Sequence, residues 1–190
     1  ITVVDGSVIV NPRTISLDSI LTFDKIYDDI AIEYTGDEMK YTEGSLKLVG
    51  EDSIKAIFSF YGQRDSVYGY EDITTDVACD AYEYTISIVD VEFSGVSKDN
   101  YEFIYAGTSH GSIKPRPIGV RTGSYEEYYN GEPVLFTEVT LLDGYNVMEG
   151  HRFGYIGGVP TIVEGVTTGT PNIVPYGVIK TVGENEIDVS

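Results

Sequence analysis

Apolar and polar residues alternate with period two along several stretches of the chain. The clearest stretch covers residues 82–93, where Tyr, Ile, Val and Phe side chains alternate with Glu, Thr, Ser and Asp. The phase slips by one residue at 89–90, which predicts a β-bulge there. Two further alternations, at 53–60 and more briefly at 45–48, predict additional half-buried strands.

Turn signals separate these alternating stretches, and no long stretch carries the apolar stripe of a helix. Many short strands with frequent glycine turns predict an all-β sandwich. The turn signals are Asp5-Gly6, Thr35-Gly36-Asp37, Asn130-Gly131, Asp143-Gly144, Gly157-Gly158 and Gly183-Glu184-Asn185.

The chain also contains an internal repeat. Residues 10–17 read V-N-P-R-T-I-S-L and match residues 113–120, I-K-P-R-P-I-G-V. A second match aligns K-I-Y-D-D at 25–29 with E-Y-Y-N-G at 127–131. The Pro-Arg pairs are 103 residues apart and the aligned tyrosines 102 apart, so the two matches have almost the same offset. A period of roughly 100 residues fits one small sandwich domain.

This repeat predicts the domain organisation. Residues 1–13 correspond to the closing strand of a preceding or neighbouring repeat. Residues 14–116 form repeat A, and residues 117–190 form repeat B, which lacks its closing strand. The two repeats join near Lys114–Pro117, where two prolines limit flexing.

These residues resemble the mostly-β, glycine-rich (YDG-type) tandem repeats of bacterial cell-surface proteins. The family pattern opens with a Pro-Arg strand start followed by Lys-x-Tyr-Asp-Gly, and it closes with Asn-Tyr and a final strand. Residues 98–101, K-D-N-Y, match this ending. Residues 27–29 depart from the pattern at the glycine, and residues 129–131 depart at the aspartate.

The resemblance implies two tandem Ig-like β-sandwich modules in a large secreted or wall-attached bacterial protein. Such modules usually act as spacers or stalks beside neighbouring repeats, and the family offers no catalytic residues to transfer. The expected function is therefore that of a non-catalytic structural module, without a cofactor.

Composition narrows the range of partners. The chain has 12 Lys and Arg against 31 Asp and Glu, a net charge of −19. Such a charge repels phosphate backbones and anionic membrane surfaces, which argues against nucleic acid and membrane insertion. The single cysteine, Cys79, excludes an internal disulfide and allows either a cytosolic or a secreted location. Because the chain begins at Ile1 without Met, we expect a fragment or a processed product.

The sequence contains no complete motif for catalysis or metal binding. Residues 107–111, G-T-S-H-G, match the G-x-S-x-G string, but prolines at 115 and 117 prevent the helix that a nucleophile elbow needs, so we interpret it as a polar turn. His110 and His151 are interpreted as surface loop residues without a ligand pattern. Structural Ca²⁺ between domains stays open, although no acidic stretch matches the Ca²⁺ loop. No catalytic, cofactor-binding or metal-binding residue is assigned.

The split repeat suggests a partner. A sandwich that lacks its last strand exposes an edge, and residues 1–10 have the alternating pattern to fill it. The candidate inward sets are Val4, Val8 and Val10, or Ile1, Val3 and Ile9. Donation of this strand to an identical subunit would build a head-to-tail filament. Alternatively, the chain is an excerpt of a longer array and its frame has no such meaning.

The 16 tyrosines support a rival function. Tyr combines a large contact area with low entropy cost, so Tyr68, Tyr70, Tyr125 and Tyr128 are candidate contacts of an adhesin that binds a glycan or a host protein. Tyr68 and Tyr70 are placed on a loop. Other tyrosines lie at strand or repeat positions and are expected to line the core, namely Tyr27, Tyr82, Tyr84, Tyr101 and Tyr129.

Overall fold

The computed structural model divides the chain into two compact units, Ile1–Pro115 (unit 1) and Arg116–Ser190 (unit 2). Within the described residues, strands dominate and the one helical element is a single 3-10 turn at Lys98–Asn100, so the predicted all-β character is confirmed. The described residues are 6–66, 69–122, 126, 128–132, 134–136, 139–155, 161–163, 176–182 and 185–188.

Unit 1 is built on one mixed sheet of seven strands. The hydrogen-bonded order is β3-β1-β7-β6-β4-β5, with β2 also paired to β7. The strands are β1 (Arg13–Ser19), β2 (Phe23–Ile26), β3 (Met39–Tyr41), β4 (Ser53–Ser66), β5 (Gly69–Thr75), β6 (Glu83–Ser94) and β7 (Tyr101–Lys114).

The core of unit 1 forms from alternate residues of its long strands. β1 pairs with neither β4 nor β6, yet Ile15 and Leu17 are fully buried in the same cluster as the inward residues of those strands. The sheet therefore curls around one core. Aromatic rings fill its centre, and the Tyr34 ring meets the Phe58 ring edge-on, with centroids 4.9 Å apart. The inward residues of β4 and β6 are Ile54, Ala56, Phe58, Phe60, Tyr84, Ile86, Ile88 and Val91.

The β-bulge predicted at 89–90 is confirmed. Ile57 of β4 lies opposite Asp90, whereas Phe58 lies opposite Ile88, so Val89 is the extra residue on β6. Two successive outward residues let Ile88 and Val91 both face the core. The strand predicted at 45–48 is wrong, since these residues form a loop in which Leu46 is exposed.

In its described residues, unit 2 contains shorter strands in three small sheets. The sheets have the orders β10-β8, β12-β9 and β11-β13-β14. The strands are β8 (Val120–Thr122), β9 (Val134–Phe136), β10 (Val139–Leu141), β11 (His151–Tyr155), β12 (Thr161–Val163), β13 (Tyr176–Val182) and β14 (Asn185–Asp188).

The β8–β10 pair of unit 2 repeats the geometry of the β1–β3 pair of unit 1. Leu17 lies opposite Tyr41, and 103 residues after Leu17, Val120 lies opposite Leu141. Both pairs are antiparallel and contain three residue pairs, and the connection between the two paired strands is three residues shorter in unit 2. The same turn follows each pair, with a glycine of positive φ, Gly44 in unit 1 and Gly144 in unit 2. The sequence repeat thus corresponds to repeated local structure.

The Tyr-Asp-Asp and Tyr-Asn-Gly matches also share a conformation. The Asp28 carboxylate accepts a hydrogen bond from the Ile30 N–H at 3.1 Å, and the Asn130 side-chain oxygen accepts one from the Glu132 N–H at 2.9 Å. In both turns the residue after the acceptor has a positive φ, 58° at Asp29 and 85° at Gly131. Asp28 and Asn130 therefore build the same side-chain-stabilised turn.

The arginines of the two Pro-Arg pairs bind to corresponding loops, although the accepting groups differ. Arg13 donates from Nε to the Lys47 carbonyl at 2.7 Å, and Arg116 donates from Nη2 to the Asn146 side-chain oxygen at 2.9 Å. Each arginine, at or just before the first strand of its unit, thus binds to the loop that follows the third strand. This contact gives the repeated arginine a structural role.

Candidate functional site

The most distinctive feature of unit 1 is that its first two strands run parallel to its last strand. β1 pairs with the first half of β7, from Arg13 opposite Tyr101 onward, and β2 pairs with its end, up to Ile26 opposite Lys114. The Tyr27 N–H then donates to the Lys114 carbonyl at 2.8 Å. The chain therefore enters and leaves unit 1 along neighbouring parallel strands.

A buried serine pair lies where β7 passes from β1 to β2. The hydroxyls of Ser19 and Ser109 are 2.6 Å apart, and both residues are buried. One hydroxyl donates to the other, which offsets part of the cost of burying the two polar groups. Ser109 belongs to the G-T-S-H-G string, so the interpretation of 107–111 as a turn is wrong. This string is continuous strand, without the turn of a nucleophile elbow.

The string also contains a close packing contact. A Cβ placed on Gly111 would lie 2.5 Å from the Phe23 ring. The glycine lets the ring cover β7 directly, beside the rings of Phe60 and Tyr84. Gly111 therefore serves packing in the described structure.

One end of unit 1 carries an open cleft of about 930 Å³ with a hydrogen-bonded tyrosine in its wall. The Tyr101 hydroxyl donates to the Asp52 carboxylate at 2.5 Å and accepts from the Val49 N–H at 3.1 Å. The other Asp52 oxygen accepts from the Val96 N–H at 3.2 Å. The hydrogen bond to Asp52 and burial raise the pKa of Tyr101. These polar groups tie two loops to β7.

Lys98, from the same K-D-N-Y motif, anchors the bulge of β6. Its ammonium donates to the Asp90 carboxylate at 2.8 Å and to the Val91 carbonyl at 3.1 Å. The hydrogen bond from Lys98 is the main reason that the pKa of Asp90 lies below its usual range. Burial and the Asp90 charge raise the pKa of Tyr105 to about 12. In the K-D-N-Y motif at 98–101, Lys98 and Tyr101 thus stabilise the fold of unit 1 through these hydrogen bonds.

Asp52 was missed as a site residue by sequence reasoning. The sequence presents it only as part of an acidic pair, Glu51-Asp52, which suggests a solvated face. Its partner Tyr101 lies 49 residues away along the chain, and no local pattern links the two. The same holds for Ser19 and Ser109, which are 90 residues apart.

The residues proposed as a partner strand are exposed where they are described. Val8, Ile9 and Val10 lie outside any strand with almost fully exposed side chains. Ile1, Val3 and Val4 lie outside the described residues.

The candidate ligand-contact tyrosines do not form a described cluster. Tyr128 is 96% exposed and Tyr70 is largely exposed. Tyr70 lies in strand β5, which corrects its placement on a loop, because the hairpin of β4 and β5 extends almost to its tip. Tyr68 and Tyr125 fall outside the described residues.

The tyrosines expected in the core divide into two groups. Tyr82, Tyr84 and Tyr101 are buried and Tyr27 packs against the core, as predicted. The prediction for Tyr129 is wrong, because this residue is 69% exposed in unit 2.

Metal-binding geometry is absent from the described residues, in which no three His, Cys, Asp or Glu side chains are grouped to hold an ion. His110 and His151 lie in strands β7 and β11, which corrects their placement in loops. His110 is exposed, as expected. Among the described residues, no helix has the length and apolar character needed to cross a membrane.

Comparison with known proteins identified no relative of this chain. No protein-family model, no curated protein and no solved structure matches this chain.

Proposed function

We propose that the chain is a non-catalytic structural part of a repetitive, secreted bacterial surface protein, stalk or filament, built from tandem Ig-like β-sandwich modules. The parallel pairing of β1 and β2 with β7 carries this proposal. Tension on the two ends of unit 1 pulls β1 towards its N-terminus and β7 towards its C-terminus. The hydrogen bonds between these strands are then loaded together, along the strand axis.

The recurrence of local structure supports the same function. The paired strands, the following turn and the arginine contact of unit 1 return in unit 2 at a nearly constant offset. Repeated modules add length, and each module contributes its own core. The partners are neighbouring repeats of the same chain or identical subunits arranged head to tail.

Single-molecule force spectroscopy on the full chain tests the proposal. Handles on cysteines introduced at Gly6 and Pro115 load the parallel strands along their axis. Handles at Ser53 and Ser94, which lie opposite each other in an antiparallel pair, peel that pair apart bond by bond. Both variants carry Cys79→Ala so that each handle has one attachment point. We expect several-fold higher unfolding force in the first geometry, and equal forces would contradict the proposal.

A second candidate function is adhesion, favoured by the almost complete exposure of Tyr128. An exposed aromatic ring has no packing role to explain it and can stack on a sugar or a protein surface. A glycan and matrix-protein panel probed with the native chain and with Tyr128→Ala distinguishes the candidates. Binding that depends on Tyr128 supports adhesion, and binding to no member of the panel argues against it.

A further inference from the structure

Among the described residues of unit 2, no strand lies beside β8 in the place that β7 takes beside β1 in unit 1. β1 lies between β3 and β7, whereas β8 pairs only with β10 among the described residues. Leu17 in β1 is fully buried, but its counterpart Val120 in β8 is 45% exposed. Tyr27 packs against the core, while its counterpart Tyr129 is exposed. In the described part of unit 2, the edge of β8 and the residues around Val120 and Tyr129 are therefore accessible to an added strand.

Residues 6–12 have the sequence of such a closing strand. They precede the first Pro-Arg pair as the end of β7 precedes the second, so that Val10 corresponds to Ile113. Ile113 is 1% exposed in the core of unit 1. In contrast, Val8, Ile9 and Val10 are 91%, 80% and 88% exposed and lie in no strand. Three adjacent exposed apolar residues are typical of a surface that binds a partner.

We infer that residues 6–12 of one copy close unit 2 of a second copy as an added parallel strand. This inference rests on the proposed structural function and names its partner. Because the Tyr27 N–H donates to the Lys114 carbonyl in unit 1, the Tyr129 N–H of one copy donates to the Asn11 carbonyl of the other. The Val10 side chain enters the core at the place of Ile113, and Ile9 faces away.

Strand addition supplies both affinity and register. The main-chain hydrogen bonds bind the segment, and the inward side chains fix which residues lie opposite each other. The contact joins two different surfaces of the chain, so each copy can donate and accept at once. Such a head-to-tail contact does not close on itself and produces a growing oligomer.

Light scattering on the full chain at increasing concentration tests the inference. We expect the average mass to rise about fivefold or more above the 20.9 kDa of one chain. Val10→Asp should hold the protein at the mass of one chain, because it places a charge at an inward position. Ile9→Asp puts the same charge on the outward face and should assemble like the native chain. Both side chains are exposed in the single chain, so neither change should affect folding, as circular dichroism would verify.

A peptide of residues 1–13 tests the acceptor separately. Added to the full-length Val10→Asp variant, which keeps an open unit 2, the labelled native peptide should bind with one site per chain. The same peptide with Val10→Asp should not bind. A native chain that keeps the mass of one chain at every concentration, or equal effects of the two substitutions, would overturn the inference. The force measurement on unit 1 does not depend on residue 10. The proposed structural function and the strand addition can therefore be contradicted independently of each other.

Discussion

Asp29 is a residue whose backbone conformation is unusual for its type. It has a φ of 58°, and its counterpart in unit 2 is Gly131, with a φ of 85°. A left-handed conformation costs a residue with a Cβ more than it costs glycine. Asp29 also accepts a hydrogen bond from the Tyr27 hydroxyl at 3.1 Å. The side-chain contact thus offsets part of the backbone strain.

Substitution of Asp29 separates these two effects. Asp29→Ala keeps the strained backbone and loses the acceptor, whereas Asp29→Gly loses the acceptor but relieves the strain. We expect Asp29→Gly to be more stable than Asp29→Ala by about 1 kcal/mol, measured by urea unfolding of the full chain. An alanine variant as stable as the glycine variant would show that the left-handed conformation is not maintained in solution.

At the scale of the element, the bulge at Val89 determines which residues of β6 face the core on each side of it. Val89 and Asp90 both point outward, and Val89 is about half exposed. If Val89 were deleted, Ile88, Asp90 and Val91 would alternate inward, outward and inward without the bulge. The buried set of the strand would therefore be unchanged.

Deletion of Val89 should consequently be tolerated, whereas deletion of Thr85 should not. Removing Thr85 places Tyr84 next to Ile86, so that the buried residues on one side of the deletion must turn outward. We expect the Thr85 deletion to lower the free energy of unfolding by about 3 kcal/mol more than the Val89 deletion, as for loss of large core side chains. Similar losses in chemical denaturation would contradict the role assigned to the bulge.

Strands could be predicted from the sequence where apolar and polar residues alternate locally. The alternation in β4 and β6 and the slip at Val89 are local, and a slip by one residue exchanges the two faces of a strand. The loop at 45–48 alternates too, yet it forms no strand and Leu46 is exposed. The parallel pairing of β1 with β7 joins residues almost 90 positions apart, and no local period encodes it. The Tyr101–Asp52 contact escaped prediction for the same reason.

At the scale of the whole molecule, charge opposes folding. The net charge is −19, and the described residues contain four ion pairs, all at least partly exposed. Exposed ion pairs stabilise little, because water and salt screen them. Repulsion among the remaining carboxylates disfavours the compact state more than the expanded one. Salt screens this repulsion over a shorter distance as its concentration rises.

The melting temperature should therefore rise by a few degrees when NaCl increases from about 10 mM to about 0.3 M, as the Debye length falls from about 30 Å to below 8 Å. Tetramethylammonium chloride should act equally, since screening depends on ionic strength and not on the cation. CaCl₂ at matched ionic strength tests for a structural calcium ion. A larger rise with CaCl₂ than with MgCl₂ at the same concentration would indicate a specific Ca²⁺ site, because nonspecific screening by the two divalent cations is nearly the same. A melting temperature that falls with salt would show that the ion pairs outweigh the repulsion. Differential scanning calorimetry of the full chain distinguishes these outcomes for each unit that melts separately.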